Sequence, residues 1–255
     1  MELLAIAGGF VLLTWSADRF DTGASGIAFN LKVSPLIIGL TIVSLGTSAP
    51  EILVSVMAAL QGNAGLAIGN AIGSNIINTG LILGITAVLV PLSVHSSIIK
   101  RELPVMLLVM VSALLLLLDG NLGRLDGALL VTGMALMLIW VIHIGRRSQT
   151  TGIDPISGEF ADEIPTSMPM GRAVLWLIVG GLVLIGSSRV LVWGAVSIAQ
   201  SMGVSDLVIG LTIVALGTSL PELAASVMSV FKKEHDIALG NIIGSNIFNI
   251  LAVLG

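Results

Sequence analysis

Two short stretches bring together the residues able to do chemistry. Residues 39–51 read GLTIVSLGTSAPE and residues 210–222 read GLTIVALGTSLPE, so Glu51 and Glu222 each follow Gly-Thr-Ser-x-Pro inside an apolar run. A second pair of motifs lies downstream, GNAIGSNIIN at 69–78 and GNIIGSNIFN at 240–249. Asn70, Ser74 and Asn78 are four apart and share one helix face. Together these motifs offer two carboxylates, several hydroxyls and amide carbonyls. The chain has no cysteine, and its histidines fall near predicted loops (His95, His235) or a span end (His143). A transition metal held by nitrogen or sulfur is therefore disfavoured. Oxygen donors carrying about two negative charges suit hard cations such as Ca²⁺, which takes 6–8 oxygens, and smaller oxygen cages suit Na⁺.

The backbone around each glutamate adds further oxygens. Pro50 has no N–H, so the Gly46 carbonyl loses its helical donor, and Ala49 is pushed from helical angles by the proline after it. The spacing predicts a broken or unwound span near 46–49, with freed carbonyls beside Thr47 and Ser48. Thr218, Ser219 and Pro221 repeat the arrangement. Such backbone is tolerated at membrane depth only where it is buried or lines a cavity.

The elements that position these residues are membrane spans. Of 255 residues, 55% are hydrophobic and only 10% charged, against about 25% charged in soluble domains. Apolar stretches near 2–18, 36–60, 66–90, 103–118, 124–144, 173–198, 207–231 and 237–255 read as eight helical spans. The polar, proline-bearing stretch around 149–171 reads as a linker between a first repeat, 1–148, and a second, 172–255. With the amino terminus outside, nine of eleven Lys and Arg residues fall on the cytoplasmic side, as the positive-inside rule requires. Arg124 and Arg189 are the two that do not. Arg189 lies inside a predicted span, its long side chain expected to reach the outer interface. Lys100-Arg101-Glu102 and Lys232-Lys233-Glu234 read as solvated loop or headgroup residues. A net charge of −4 gives no sign of a nucleic-acid partner, and no protein partner is evident.

The two motif pairs belong to one long repeat. Residues 39–84 lie over 210–255 without a gap, and 25 of 46 positions are identical. Five spans separate equivalent points, an odd number, so the second copy must cross the membrane in the opposite sense. That is an inverted-topology repeat, the mark of secondary transporters. Residues 85–148 have no counterpart; a second half equal to the first would run 64 residues past Gly255, so the chain reads as truncated, with eight spans of an expected ten. Glu51 and Ser74 each lie about 17 Å of helix from the turn between their spans, which puts both near the midplane, with Glu222 and Ser245 reaching the same level from the other side. Glu51 is the only formally charged residue between Lys32 and Lys100, and Glu222 the only one between Asp206 and Lys232. Ser48-x-x-Glu51 fits a capping box, yet a mid-membrane charge costs about 2.5–3.5 kcal/mol, and serine alone would start the helix for less. The glutamates are read as functional.

The paired GTSxPE and GNxxGSNxxN blocks resemble the two alpha-repeats of the calcium:cation antiporter superfamily, in its prokaryotic sodium/calcium exchanger-like branch. The resemblance implies an all-α membrane fold of two inverted five-helix units, with cations bound midway between the second, third, seventh and eighth helices. It further implies Glu51 and Glu222 as shared Ca²⁺ ligands, backbone carbonyls from Thr47 and Thr218, and Na⁺ sites formed by Ser48, Ser74, Ser219 and Ser245, with carbonyl help from Ser44 and Ala215. Some members carry Asp at one or both of the last asparagines, where this chain has Asn78 and Asn249. Two acids are neutralised by one Ca²⁺ or two monovalent ions, which argues against a three-to-one Na⁺:Ca²⁺ stoichiometry. The expected activity is Na⁺/Ca²⁺ antiport in a prokaryotic inner membrane, with no organic cofactor. Ca²⁺/H⁺ exchange on the same glutamates and a cation channel with a duplicated acidic constriction are the alternatives. A serine hydrolase lacks a histidine base and a nucleophile elbow.

Overall fold

An apolar chain must satisfy its backbone N–H and C=O groups internally, and every described regular element is helical. The computed structural model describes residues 1–60, 62, 64–96, 98–151, 168–204 and 215–255. In chain order its helices are α1 (Glu2–Leu31), α2 (Pro35–Ile38), α3 (Ser44–Thr47), α4 (Ala49–Leu60), α5 (Ala64–Ile76), α6 (Leu83–Leu89), α7 (Leu103–Leu117), α8 (Arg124–Thr151), α9 (Met170–Ser201), α10 (Ala215–Thr218), α11 (Leu220–Phe231) and α12 (His235–Phe248). Wider π-helical turns occupy Gly39–Val43, Ile77–Ile82, Ile98–Glu102 and Asn249–Val253.

Five described helices are long and apolar enough to cross a membrane, six when the bent pair 36–47 and 49–60 counts as one. The stretch expected at 103–118 is a 15-residue helix preceded by a π turn. That expected at 207–231 includes residues 205–214, which lie outside the described residues, as does most of the linker, 152–167. α8 continues to Thr151, past the span end expected at 144.

α1 also continues past its expected end, from residue 18 to Leu31. The charged residues there are partnered rather than helix-breaking. Arg19 lies 5.9 Å from the Trp15 ring and 5.0 Å from that of Trp176, cation–π distances that favour a fixed guanidinium. α1 and α9 pack antiparallel, because Gly194 meets Glu2 and Ala5, Gly180 meets Phe20, and Gly23 meets Leu177. A β-carbon on Gly23 would stand 2.4 Å from the Leu177 nitrogen, and one on Gly180 2.5 Å from that of Phe20. Small residues are what let two membrane helices approach this closely. α12 is the centre of the bundle, with every residue from Asp236 to Leu251 buried. It lies against α2, α3 and the 39–43 turn on one side and against α11 on another.

The ends expected to face the cytoplasm converge. Asn30 donates to the Met168 carbonyl at 2.7 Å, and the His95 Nδ1 lies 2.5 Å from an Asp236 carboxylate oxygen. Lys232 Nζ donates to the Asp18 carbonyl and the Thr22 hydroxyl, both at 2.7 Å, and pairs with the carboxylates of Asp18 and Asp21 at 2.9 and 3.2 Å. Ser25 donates to Glu234, and Ser229 to Asp21. Lys232 and Glu234 are thus not the solvated loop residues expected from sequence; only Lys233 is exposed. Glu102 is likewise buried, its carboxylate 2.6 Å from Arg101.

Burial, reinforced by the Asp21 charge, pushes the Glu234 carboxyl up to about 9. The folded protein then keeps a proton that the unfolded chain releases near the ordinary carboxylate range. The stabilisation is complete below that range and declines as pH rises toward 9. Wild-type thermal stability is expected to fall between pH 5 and 9 by more than that of Glu234→Gln, which carries no titratable group. Parallel melting curves against pH for the two proteins refute the assignment.

Candidate cation-binding site

The break predicted near 46–49 is present but falls at Ser48: Ala49, expected to leave helical angles before Pro50, instead opens the restarted helix, and the Ser48 carbonyl accepts from the Ile52 N–H at 3.1 Å. The 39–43 π turn leads into α3, Ser48 leaves helical angles at φ −79°, ψ 5°, and the helix restarts at Ala49 after a 48° bend. Ser219 does the same at φ −89°, ψ 6°, before α11. Each glutamate sits in the first turn of the restarted helix, where the positive helix end favours a carboxylate.

The two breaks serve each other. Ser48 donates to Glu222 Oε1 at 3.0 Å, and Ser219 donates to Glu51 Oε1 at 3.4 Å. Both glutamates are essentially buried, 0% and 1% exposed. Among the described residues their second oxygens, Glu51 Oε2 and Glu222 Oε2, are buried without a hydrogen-bond donor. So are both amide atoms of Asn78 and of Asn249. Buried polar groups in folded proteins are nearly always satisfied. Four such side chains from matching motif positions therefore mark a place built to receive something polar. α4, which carries Glu51, packs on the 249–253 turn that starts with Asn249, and α11, which carries Glu222, packs on the 77–82 turn that holds Asn78.

The remaining expected ligands divide. Thr47, Ser44, Ser74 and Ser245 are buried in the same region of the bundle. The Thr47 hydroxyl donates to Asn241 Oδ1 at 3.0 Å. The Ser44 carbonyl accepts from the Ser48 N–H at 2.9 Å, and Ser245 approaches Asn241 Oδ1 at 3.5 Å. Thr218 ends α10, and Ala215 contributes only described backbone there.

Four supporting residues were not assigned roles from sequence. Asn70 donates to the Glu51 carbonyl at 3.0 Å and to the Ser55 hydroxyl at 2.9 Å. Asn241 repeats this with the Glu222 carbonyl at 3.4 Å and Ser226 at 3.0 Å. The signal was there: Ser55 and Ser226 lie four residues after their glutamates, identical in both blocks. Among the described residues no group of three or more His, Cys, Asp and Glu side chains could hold a metal ion. A cation between these motifs would thus rely on neutral oxygens beside the two carboxylates, as hard ions accept.

A sodium/calcium exchanger protein family model matches residues 1–143 and 172–255. The chain belongs to the sodium/calcium exchanger family. As a family member it is an antiporter-type, multi-pass membrane protein. This exchanger-family chain is 55% identical over 247 residues to CaxA of Alkalimonas amylolytica, covering 97% of this chain and 77% of that protein. It is 31% identical to the sodium/calcium exchanger MaX1 of Methanosarcina acetivorans, covering 100% of this chain and 82% of the relative. The sodium–calcium exchanger NCX_Mj, solved after soaking with 2.5 mM Na⁺ and 0.1 mM Ca²⁺, superposes with a TM-score of 0.84 at 34% identity, over 99% of this chain and 80% of that one.

Proposed function

We propose that the protein exchanges Ca²⁺ for Na⁺ by alternating access at an all-oxygen site between Glu51 and Glu222. The carrying observation is the crossed pair of serine–glutamate hydrogen bonds, beside which one buried oxygen of each carboxylate and the amides of Asn78 and Asn249 have no partner among the described residues. In this reading both carboxylates ligate Ca²⁺. Thr47, Thr218, Ser44 and Ala215 lend carbonyls, and Ser48, Ser219, Ser74, Ser245, Asn78 and Asn249 complete the Ca²⁺ and Na⁺ shells. Asn70 and Asn241 hold the restarted helices in place.

The halves 1–148 and 172–255, joined by a cytoplasmic linker at 149–171, are related by inversion. The antiparallel packing of α1 on α9 supports this, since these are the first helices of the two halves. The meeting of residues 25–30, 95, 168 and 232–236 at one end supports a common face for the basic connections. By their charge that face is cytoplasmic, with the amino terminus outside a prokaryotic inner membrane.

⁴⁵Ca²⁺ uptake into proteoliposomes under outward Na⁺ or outward H⁺ gradients tests the coupling. Na⁺-driven uptake is expected. Uptake driven by H⁺ alone replaces this reading with Ca²⁺/H⁺ exchange, and single-channel currents replace it with a pore.

Asn249→Asp is expected to change the apparent cation affinity or Na⁺ dependence at least about fivefold, since a unit charge is added close to the ions. Asn70→Asp loses two donated hydrogen bonds and is expected to slow exchange while leaving the ion dependence as it was. Unchanged Na⁺ dependence in the Asn249 variant removes that side chain from the site.

A further inference from the structure

One intramembrane charge has no part in the site described above. Arg189 lies in α9, about 18 Å from the Ser201 end at 1.5 Å per residue. The residue is exposed, and among the described residues its guanidinium makes no ion pair. It lines a cleft of about 290 Å³ together with Pro50, Val54, Ser188, Trp193 and Thr218. Pro50 immediately precedes Glu51, and Thr218 immediately precedes Ser219, whose hydroxyl donates to Glu51. The cleft is therefore lined by the residues that directly precede Glu51 and Ser219 in sequence.

A cationic side chain this far into a span is tolerated only where it faces water or a partner, and such residues mark ion pathways. Among the described residues no carboxylate pairs with it, so the cleft is where its guanidinium can meet water. We infer that the cleft is a cation route to the Glu51 carboxylate from the Ser201 side, and that Arg189 is its charge-selecting residue. The inference rests on the glutamate site proposed above. A fixed positive charge repels an ion in proportion to the ion's charge, so the Boltzmann factor for Ca²⁺ is the square of that for Na⁺. A unit charge about 10 Å away in water changes monovalent occupancy roughly twofold and divalent occupancy roughly fourfold. Arg189 thereby favours Na⁺ over Ca²⁺ on one face, and its charge rather than its shape does so.

The test uses the full chain in proteoliposomes of known orientation, with half-saturating Na⁺ and Ca²⁺ measured on each face. Arg189→Gln and Arg189→Met are both expected to lower half-saturating Na⁺ about twofold and Ca²⁺ about fourfold, on the Ser201 face alone. Arg189→Lys, which keeps the charge, is expected to behave as wild type. Equal factors for the two ions, equal effects on both faces, or no change in either neutral variant overturns the inference. Glu51→Gln separates the layers. Loss of exchange there with unchanged ratios in the Arg189 variants overturns the selecting role alone, whereas retained exchange overturns the site beneath it.

Discussion

Glu51→Gln and Glu222→Gln are each expected to lower Ca²⁺ exchange at least 100-fold, while the protein still inserts and folds. Glutamine keeps the size of the side chain and its capacity to accept from the partner serine, so the crossed bonds from Ser219 and Ser48 can persist. What disappears is half of the formal charge that a divalent ion meets. Ligand charge count is the main variable by which oxygen sites tune Ca²⁺ affinity across several orders of magnitude, and a 100-fold loss corresponds to about 2.8 kcal/mol. Flux assays with a melting curve in detergent separate the two possible losses. A variant that melts like wild type and exchanges Ca²⁺ near the wild-type rate and affinity would show that its glutamate only caps a helix.

The second large effect is expected at the seam between the two motif blocks. Gly39 and Gly240 face each other, and a β-carbon on Gly240 would stand 2.7 Å from the Leu36 carbonyl oxygen and 2.9 Å from the Leu40 nitrogen. On Gly244 it would stand 2.5 Å from the Ser44 hydroxyl and 2.7 Å from the Leu40 oxygen. Backbone atoms cannot move aside as a side-chain tip can. Gly240→Val and Gly244→Val are expected to force α12 away from the 36–44 segment, destabilising the fold by about 3 kcal/mol and abolishing exchange. A melting temperature and flux equal to wild type in both variants would contradict this packing.

Much of the site was legible because its physics is local. A proline deprives the carbonyl four residues before it of its helical donor, so Pro50 pointed to the bend at Ser48. Glu51 and Glu222 stood out because an isolated carboxylate in an apolar run demands a reason. The crossed pairing, in which Ser48 serves Glu222 and Ser219 serves Glu51, was not legible. The repeat shows that the two motifs correspond and leaves open which serine meets which acid. The π turns were hidden for another reason. One extra residue per turn leaves hydrophobic content unchanged, so periodicity does not register the insertions at Gly39–Val43 and Asn249–Val253. The true end of α1 was also missed, because charges at 18–21 mimic a span boundary until Lys232 and the indole rings are known to neutralise or cradle them. Arg189 could be flagged from sequence, but the cleft beside it could not.

The polar cluster around 229–236 occurs in one repeat only. Ser229, Lys232, Glu234, His235 and Asp236 correspond at the fixed offset to Ala58, Gln61, Asn63, Ala64 and Gly65, which carry none of its charges. Two identical halves that trade shapes across the membrane would give conformers of equal energy, a degenerate pair with no preferred side. Bonds from the 229–236 stretch to α1 and to His95 lift that degeneracy, since only one half has them to keep or break. On the proposed cycle the ion-free carrier then has a ground state facing one compartment. Each turnover begins from that side, and the ion gradient acts on a transporter already biased before any ion arrives.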